Sequence, residues 1–178
     1  GQVDALMAMD FPGTGRKVDE ELTHNIATIG ENMTVRRAAT QSVGAGTVVS
    51  YVHNATAAGL GKIGVLVALE STGDADQLTA LGKQIAMHIA ATAPASVSVD
   101  DLDPALVERE RAVLSDQARA SGKPEEIIAK MVEGRLRKYY EEAVLLEQVF
   151  VIDNETKVGK VVENAAADVG APVKIAGF

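Results

Sequence analysis

Residues 103–142 constrain the fold more than any other stretch, because they carry two helical patterns separated by a short break. Asp103 and Pro104 suit a helix start, since Asp caps exposed N–H groups and Pro tolerates the first helical position. Residues 121–124 (Ser-Gly-Lys-Pro) interrupt the pattern with a glycine and a proline. Each arm has a narrow apolar stripe, and a short connection favours antiparallel pairing. We therefore predict an antiparallel helical hairpin, or coiled coil, inserted at 103–142.

The sequence on both sides of this hairpin mixes helix and strand patterns. Apolar spacing predicts helices at 16–29, 78–92 and 156–169, and β-branched runs predict strands within 33–43, 47–53 and 63–69 and from 173 onward. Short turns between the first three strands favour an antiparallel arrangement. The predicted fold class is α+β: two small subdomains of antiparallel sheet packed with helices, plus the protruding hairpin. The predicted domains are 1–72 (N-terminal core subdomain), 73–102 with 143–178 (C-terminal core subdomain) and 103–142 (hairpin).

Composition excludes several classes of function. The 25 acidic residues outnumber the 17 basic ones, giving a formal charge of −8, and aromatic residues make up only 3%. Neither value fits a surface that binds phosphate backbones or stacks on bases. The chain has no cysteine, which excludes disulfides and thiol catalysis. No apolar run reaches the roughly 18–20 residues that span a bilayer. We therefore expect a cytoplasmic protein that binds another protein or a small molecule, without direct contact to membrane or nucleic acid.

Residues 59–64 spell G-x-G-x-x-G, the pattern of dinucleotide-binding loops. A functional loop of this kind follows a strand and opens a helix, so that helix N–H groups meet the pyrophosphate. Here the pattern leads directly into the predicted strand 63–69. A flexible turn is the better interpretation, and an enzyme that uses this loop would have to bind free dinucleotide.

The residues that could support catalysis or metal binding are scattered. His24, His53 and His88 occur without cysteine and without a carboxylate cluster at metal-ligand spacing. His88 adjoins the apolar face of its helix, which indicates a structural or a partly exposed histidine. Ser50 and His53 could form a dyad, but no third residue to orient the base is evident. The carboxylates lie on faces that the pattern predicts to be solvated. We therefore predict no catalytic residue, no metal, no cofactor and no enzymatic activity.

Several runs, in the same order along the chain, resemble bacterial elongation factor Ts. They are IGEN at 29–32, VRR at 35–37, SYVH at 50–53, IGVLV at 63–67, QIAMHIAA at 84–91, SGKP at 121–124 and KMVEGR at 130–135. The hairpin is similar to the coiled-coil protrusion of that family. The resemblance covers most of the chain from residue 29 to residue 178.

The resemblance implies a guanine nucleotide exchange factor that binds the GTPase elongation factor Tu and promotes GDP release by disturbing its Mg²⁺ and phosphate site. It implies no covalent chemistry. In the family, the IGEN turn and the histidine of the SYxH strand face the GTPase. Carried over to this chain, the partner-binding residues are Ile29, Gly30 and His53. The family includes dimeric assemblies, so a homodimer is possible.

Two departures from the family pattern affect this expectation. The N-terminal helical module of the family and its Thr-Asp-Phe-Val stretch, the wedge near Mg²⁺, do not occur in this sequence. The dipeptide Asp10-Phe11 is followed by proline and is not assigned the role of the wedge. We therefore expect a central dimerisation-domain fragment that binds the GTPase without full exchange activity. The alternative is a structural module that self-associates or docks partners through its helical hairpin.

Overall fold

The computed structural model describes residues 2–178, which divide into two compact units. One unit ends at Thr40, and the other runs from Gln41 to Phe178. The mixed α+β class is confirmed, since helices occur with a three-stranded antiparallel sheet. The division at 1–72, 73–102 with 143–178, and 103–142 stays a prediction.

The N-terminal unit contains two helices, α1 (Gln2–Met7) and α2 (Val18–Ile29). The loop between them is closed by a bond from the Phe11 N–H to the Arg16 carbonyl (2.8 Å). Helix α2 begins where the Lys17 N–H donates to Glu20 Oε2 (2.9 Å), an acidic partner that suits the positive end of the helix dipole.

The strand predicted within 33–43 is wrong, because no strand is formed there. Met33 and Val35 have strand-forming side chains and are only partly buried. A strand needs a neighbour that satisfies its backbone N–H and C=O groups, and none of the described residues pairs with this segment. The strand-forming preference of the side chains in this segment was therefore not sufficient to form a strand without a pairing partner.

The C-terminal unit contains one sheet with the strand order β1-β2-β3. The strands are β1 (Gly46–Ala57), β2 (Leu60–Glu70) and β3 (Lys174–Gly177), and both pairings are antiparallel. Strand β1 extends to residue 57, beyond the predicted end at residue 53, so that only residues 58 and 59 form the turn to β2. Alternate side chains of β2, Val65, Val67 and Leu69, are buried on one face of the sheet.

Helix α3 (Ala75–Thr92) covers that face of the sheet. It starts at Asp74, whose carboxylate accepts the Gln77 N–H (2.8 Å). Gly82 lets the helix approach β1 closely, because an added Cβ there would lie 2.6 Å from Val49 Cγ2. A further helix, labelled α6 below (Val158–Val169), completes the core with Val158, Val162 and Val169.

Two helices of the C-terminal unit pair with each other, α4 (Pro104–Arg119) and α5 (Glu125–Ala143). Asp103 caps α4 by accepting the Ala105 N–H (2.9 Å). Both helices contribute to one apolar cluster, formed by Leu114, Ala118, Ile128, Val132 and Leu136. Arg111 Nη1 bonds to Glu133 Oε1 at 2.7 Å, and Arg119 Nε lies 3.6 Å from Glu125 Oε1. As residue numbers rise along α4, the partner numbers fall along α5, so the helices run antiparallel. Coiled-coil supercoiling and protrusion from the core stay predictions.

The base of this helix pair is fixed by a buried polar network around His88. The His88 ring is fully buried, its Nε2 lies 2.8 Å from Gln148 Oε1, and its Nδ1 accepts the Val151 N–H (3.2 Å). This pattern requires a neutral ring with the proton on Nε2. Gln148 Nε2 in turn donates to the Glu142 carbonyl (2.7 Å), at the end of α5. The network therefore connects α3 to the base of the helix pair, and the predicted structural role of His88 is confirmed.

We expect the stability of the C-terminal unit to fall as the pH drops below about 6.5. Burial lowers the pKa of His88, and its hydrogen bond to Gln148 opposes this only in part. The unfolded chain therefore binds a proton that the folded chain does not, and the free energy of unfolding decreases by up to about 1.4 kcal/mol per pH unit in that range. Urea unfolding at pH 7.5, 6.5 and 5.5 measures this slope. His88→Gln removes the titrating group, and an unchanged slope in that variant would contradict the assignment.

Candidate partner-binding site

Ile29 and Gly30 form the C-terminal end of α2 in the N-terminal unit. Gly30 adopts a left-handed conformation (φ 80°, ψ 16°), and its N–H donates to the Ile26 carbonyl (2.9 Å). Glycine is favoured there because a Cβ is strained at positive φ. Ile29 is 60% exposed, an unusually open position for a large aliphatic residue that ends a helix. The helix end thus presents apolar surface to solvent.

His53 lies in β1, at the end of the sheet nearest the turn to β2. Its Nδ1 is 3.0 Å from the Tyr51 hydroxyl, and the two rings are tilted with centroids 5.9 Å apart. Both side chains are on the same face of the strand because they are two residues apart. Tyr51 packs against the core and so holds the imidazole. Among the described residues nothing bonds to Nε2, which stays available to a partner.

The turn beside His53 is shaped by the glycines of the 59–64 segment. Gly59 has a positive φ (+73°) in the turn, and Gly61 lies in β2 opposite Ala55. An added Cβ at Gly61 would lie 2.7 Å from the His53 carbonyl oxygen and 2.5 Å from Val52 Cγ1. The segment continues as a strand and opens no helix. Only Gly59 lies in the turn and residues 60–64 belong to β2, so the interpretation of the whole segment as a turn is wrong, and the geometry that a dinucleotide requires is not formed.

The structure does not bring together the residues of the other candidate sites, a catalytic dyad and a metal site. His53 bonds to Tyr51 while Ser50 lies on the opposite face of β1, so the structure forms no Ser50–His53 dyad. Within residues 2–178, no group of three or more His, Asp or Glu side chains could hold a metal ion. Over the same residues, no helix is both long and apolar enough to cross a bilayer.

The three residues expected to bind the partner are divided between the two units. Ile29 and Gly30 are adjacent in the N-terminal unit, and His53 belongs to the C-terminal unit. The residues that support His53, namely Tyr51 and Gly61, were not predicted as functional from the sequence. The two-residue spacing of Tyr51 and His53 on a predicted strand was an available signal. Gly61 gave none, because its role depends on the register between β1 and β2.

Comparison with known proteins gives a match over the whole chain. The sequence model of the family described as Elongation factor TS matches residues 1–178. An elongation factor Ts of Rhodospirillum centenum is 66% identical over 176 residues, covering 99% of this chain and 57% of the relative. Those of Paramagnetospirillum magneticum and Rhodospirillum rubrum are 60% and 56% identical, covering 99% and 100% of this chain and 56% and 58% of the relatives. The chain thus spans little more than half the length of these relatives.

We expect Gly61→Ala to destabilise the C-terminal unit by about 1–3 kcal/mol, because the new methyl group overlaps Val52 and the His53 carbonyl. The imidazole resonances of His53 should shift in NMR spectra, since the strand that carries it must move. Gly64→Ala is the matched control in the same strand, because a Cβ there has nothing within 4 Å. Equal losses of stability in the two variants would contradict this account of the turn.

Proposed function

This chain belongs to the elongation factor Ts family, and from that premise we propose that it takes part in guanine nucleotide exchange during translation elongation. The observation that supports this most is the match of the family over the entire chain, together with a relative that is 66% identical. We propose elongation factor Tu, in its GDP-bound form, as the GTPase partner. The action that we propose for this chain is binding rather than covalent chemistry.

The proposed partner-binding residues are Ile29 and Gly30 in the N-terminal unit and, separately, His53 in the C-terminal unit. Ile29 offers an exposed aliphatic side chain, and the adjacent glycine carries no Cβ, so that a partner backbone can approach closely. His53 offers Nε2 as a hydrogen-bonding atom, while its Nδ1 is held by Tyr51. An apolar anchor together with an oriented polar atom is a common basis for specific recognition.

Exchange follows from this binding by thermodynamic linkage. A factor that binds the nucleotide-free GTPase more tightly than the GDP-bound form must weaken GDP affinity by the same ratio. We propose that binding of this chain favours a GTPase conformation in which the Mg²⁺ and phosphate site is disturbed. The energy for release then comes from differential contacts in the two states of the GTPase.

We further propose that this chain binds the GTPase but accelerates release less than a factor that contains the Thr-Asp-Phe-Val wedge. No such tetrapeptide occurs in the 178 residues. Contacts that anchor the chain to the GTPase, without a group that reaches the Mg²⁺ site, would allow binding but would displace GDP only weakly.

Release of a fluorescent GDP analogue from purified elongation factor Tu tests the proposal directly. We expect this chain to bind the GTPase in a pull-down and to accelerate release less than a family member that contains the wedge. Acceleration equal to that of such a factor would contradict the requirement for the wedge. Absence of any binding would contradict the proposed partner for this chain.

We expect His53→Ala and Ile29→Ala each to weaken binding to elongation factor Tu about 5- to 30-fold, the usual range for loss of a significant interface residue (about 1–2 kcal/mol). Both side chains are at least partly exposed, so the melting temperature should change little. Titration calorimetry measures the affinity. His24→Ala, an exposed histidine in α2, is the control. If binding is unchanged in the two variants, or falls equally in the control, these residues do not form the contact.

A further inference from the structure

The apolar face of β2 continues past the hydrophobic core at the start of the strand. Val65, Val67 and Leu69 are buried members of the core cluster. Ile63 precedes Val65 by two residues and therefore lies on the same face of the sheet. It stands outside the cluster, and its side chain is 42% exposed. The face that is buried along the rest of β2 is thus open to solvent at Ile63.

Ile63 is the direct cross-strand neighbour of His53. The register of β1 and β2 pairs these two residues. Directly opposite residues of an antiparallel pair share one face of the sheet, with Cβ atoms about 4.5–5.5 Å apart. The next pair toward the turn, Ala55 with Gly61, has no side chain larger than a methyl group. A partner surface that reaches the imidazole can therefore also reach Ile63.

The core fixes the imidazole on the side away from the turn. Tyr51 is paired with Val65 and packs against the core cluster, and its hydroxyl lies 3.0 Å from His53 Nδ1. His53 thus has an anchored tyrosine two residues before it and an exposed aliphatic side chain across the strands. A partner atom bonded to Nε2 would be bordered by Ile63. Apolar groups that border a polar contact exclude water from it once two surfaces meet.

Exposure alone does not distinguish Ile63, because single exposed aliphatic residues are common on protein surfaces. Leu66 in the same strand is 43% exposed, nearly the same fraction as Ile63. It lies three residues further along, hence on the opposite face of the sheet, where its cross-strand neighbour is Ser50. The feature that sets Ile63 apart is its pairing with His53, and Leu66 provides a matched control.

We propose that Ile63 is a further partner-binding residue and that it acts together with His53. This inference rests on the proposed function, because it assigns both side chains to the contact with elongation factor Tu. Ile63 contacts an apolar side chain of the GTPase beside the group that bonds to His53 Nε2. A hydrogen bond shielded from water is electrostatically stronger, so each of the two residues increases the contribution of the other.

Titration calorimetry with purified elongation factor Tu in its GDP form measures the contribution of Ile63. We expect Ile63→Ala to weaken binding about 5- to 30-fold, and Leu66→Ala to leave it unchanged. Ile63→Thr should also weaken binding, because it keeps a β-branched side chain that suits a strand but removes apolar surface. Thermal unfolding of each variant checks that the sheet is retained.

A double-mutant cycle tests whether the two residues act together. The variant that combines His53→Ala with Ile63→Ala should lose at least about threefold less affinity than the product of the two single losses, because either change removes the shared contact. The combination of His53→Ala with Leu66→Ala should lose the full product of its single losses, since these two side chains lie on opposite faces of the sheet.

The outcomes separate this inference from the proposed function. If the unmodified chain binds and His53→Ala weakens binding, whereas Ile63→Ala and Ile63→Thr do not, this inference is overturned and the proposed function stands. Equal losses in Ile63→Ala and Leu66→Ala also overturn it, because damage to the strand would then explain both. Losses that multiply in the variant lacking both His53 and Ile63 overturn their joint action. If the unmodified chain does not bind elongation factor Tu, the proposed function fails and this inference fails with it.

Discussion

The structure of the C-terminal unit depends on the burial of one face of β2. Val65, Val67 and Leu69 are nearly or fully inaccessible, and β2 is the strand that pairs with both others. Burying an aliphatic side chain of this size contributes roughly 1.5–3 kcal/mol, so this strand and its covering helix α3 provide much of the stability of the sheet. Among residues 2–178, β2 is the one strand that pairs with the short strand β3 and satisfies its backbone groups. Without β2 packed on α3, neither β1 nor β3 would have a strand partner for its backbone hydrogen bonds.

The same core fixes the position of the paired helices α4 and α5. Leu145 and Leu146, just beyond α5, donate their N–H groups to the carbonyls of Ser96 and Val97 (2.9 and 3.1 Å). The chain enters and leaves the helix pair at adjacent points, so the pair is attached by two segments. Gln148 adds the bond to His88 from inside the core. Because every polar group of this network has a partner, removing one of them would leave another buried and unsatisfied.

The sequence predicted the helices better than the strands, and a comparison within the chain explains why. Helices α2 and α6 each have 12 residues, follow a loop closed by backbone hydrogen bonds, and end at a left-handed glycine. Their caps and apolar spacing are local signals that a single sequence contains. Met33 and Val35 follow the glycine after α2 as Val173 and Ile175 follow the glycine after α6. Ile175 lies in β3, where β2 supplies a partner, and Val173 comes just before that strand, whereas Met33 and Val35 form no strand.

The candidate site could be predicted only through the sequence motifs that this chain shares with a known family. Ile29, Gly30 and His53 were selected through motifs, because no periodicity or composition distinguishes them. The support for His53 depends on cross-strand register, which places Gly61 against the neighbouring strand. Register follows from the burial of one face of a sheet and from turn length. The sequence pattern suggested a loop at 54–61, whereas the turn consists of residues 58 and 59 alone.

The exposure of Ile29 shows that tertiary context determines whether the last residue of a helix is buried or exposed to a partner. Val169 is its counterpart at the end of α6, and it is only 4% exposed. The turn at 71–74 covers that end: Gly73 lies against Val169, and the Asp74 N–H donates to the Val169 carbonyl (2.9 Å). Ile29 ends a helix of the same length at a glycine of the same conformation, yet it is 60% exposed. Since the local sequence signals are alike, the difference lies in what covers each helix end, and the uncovered end has the apolar surface that the proposed contact requires.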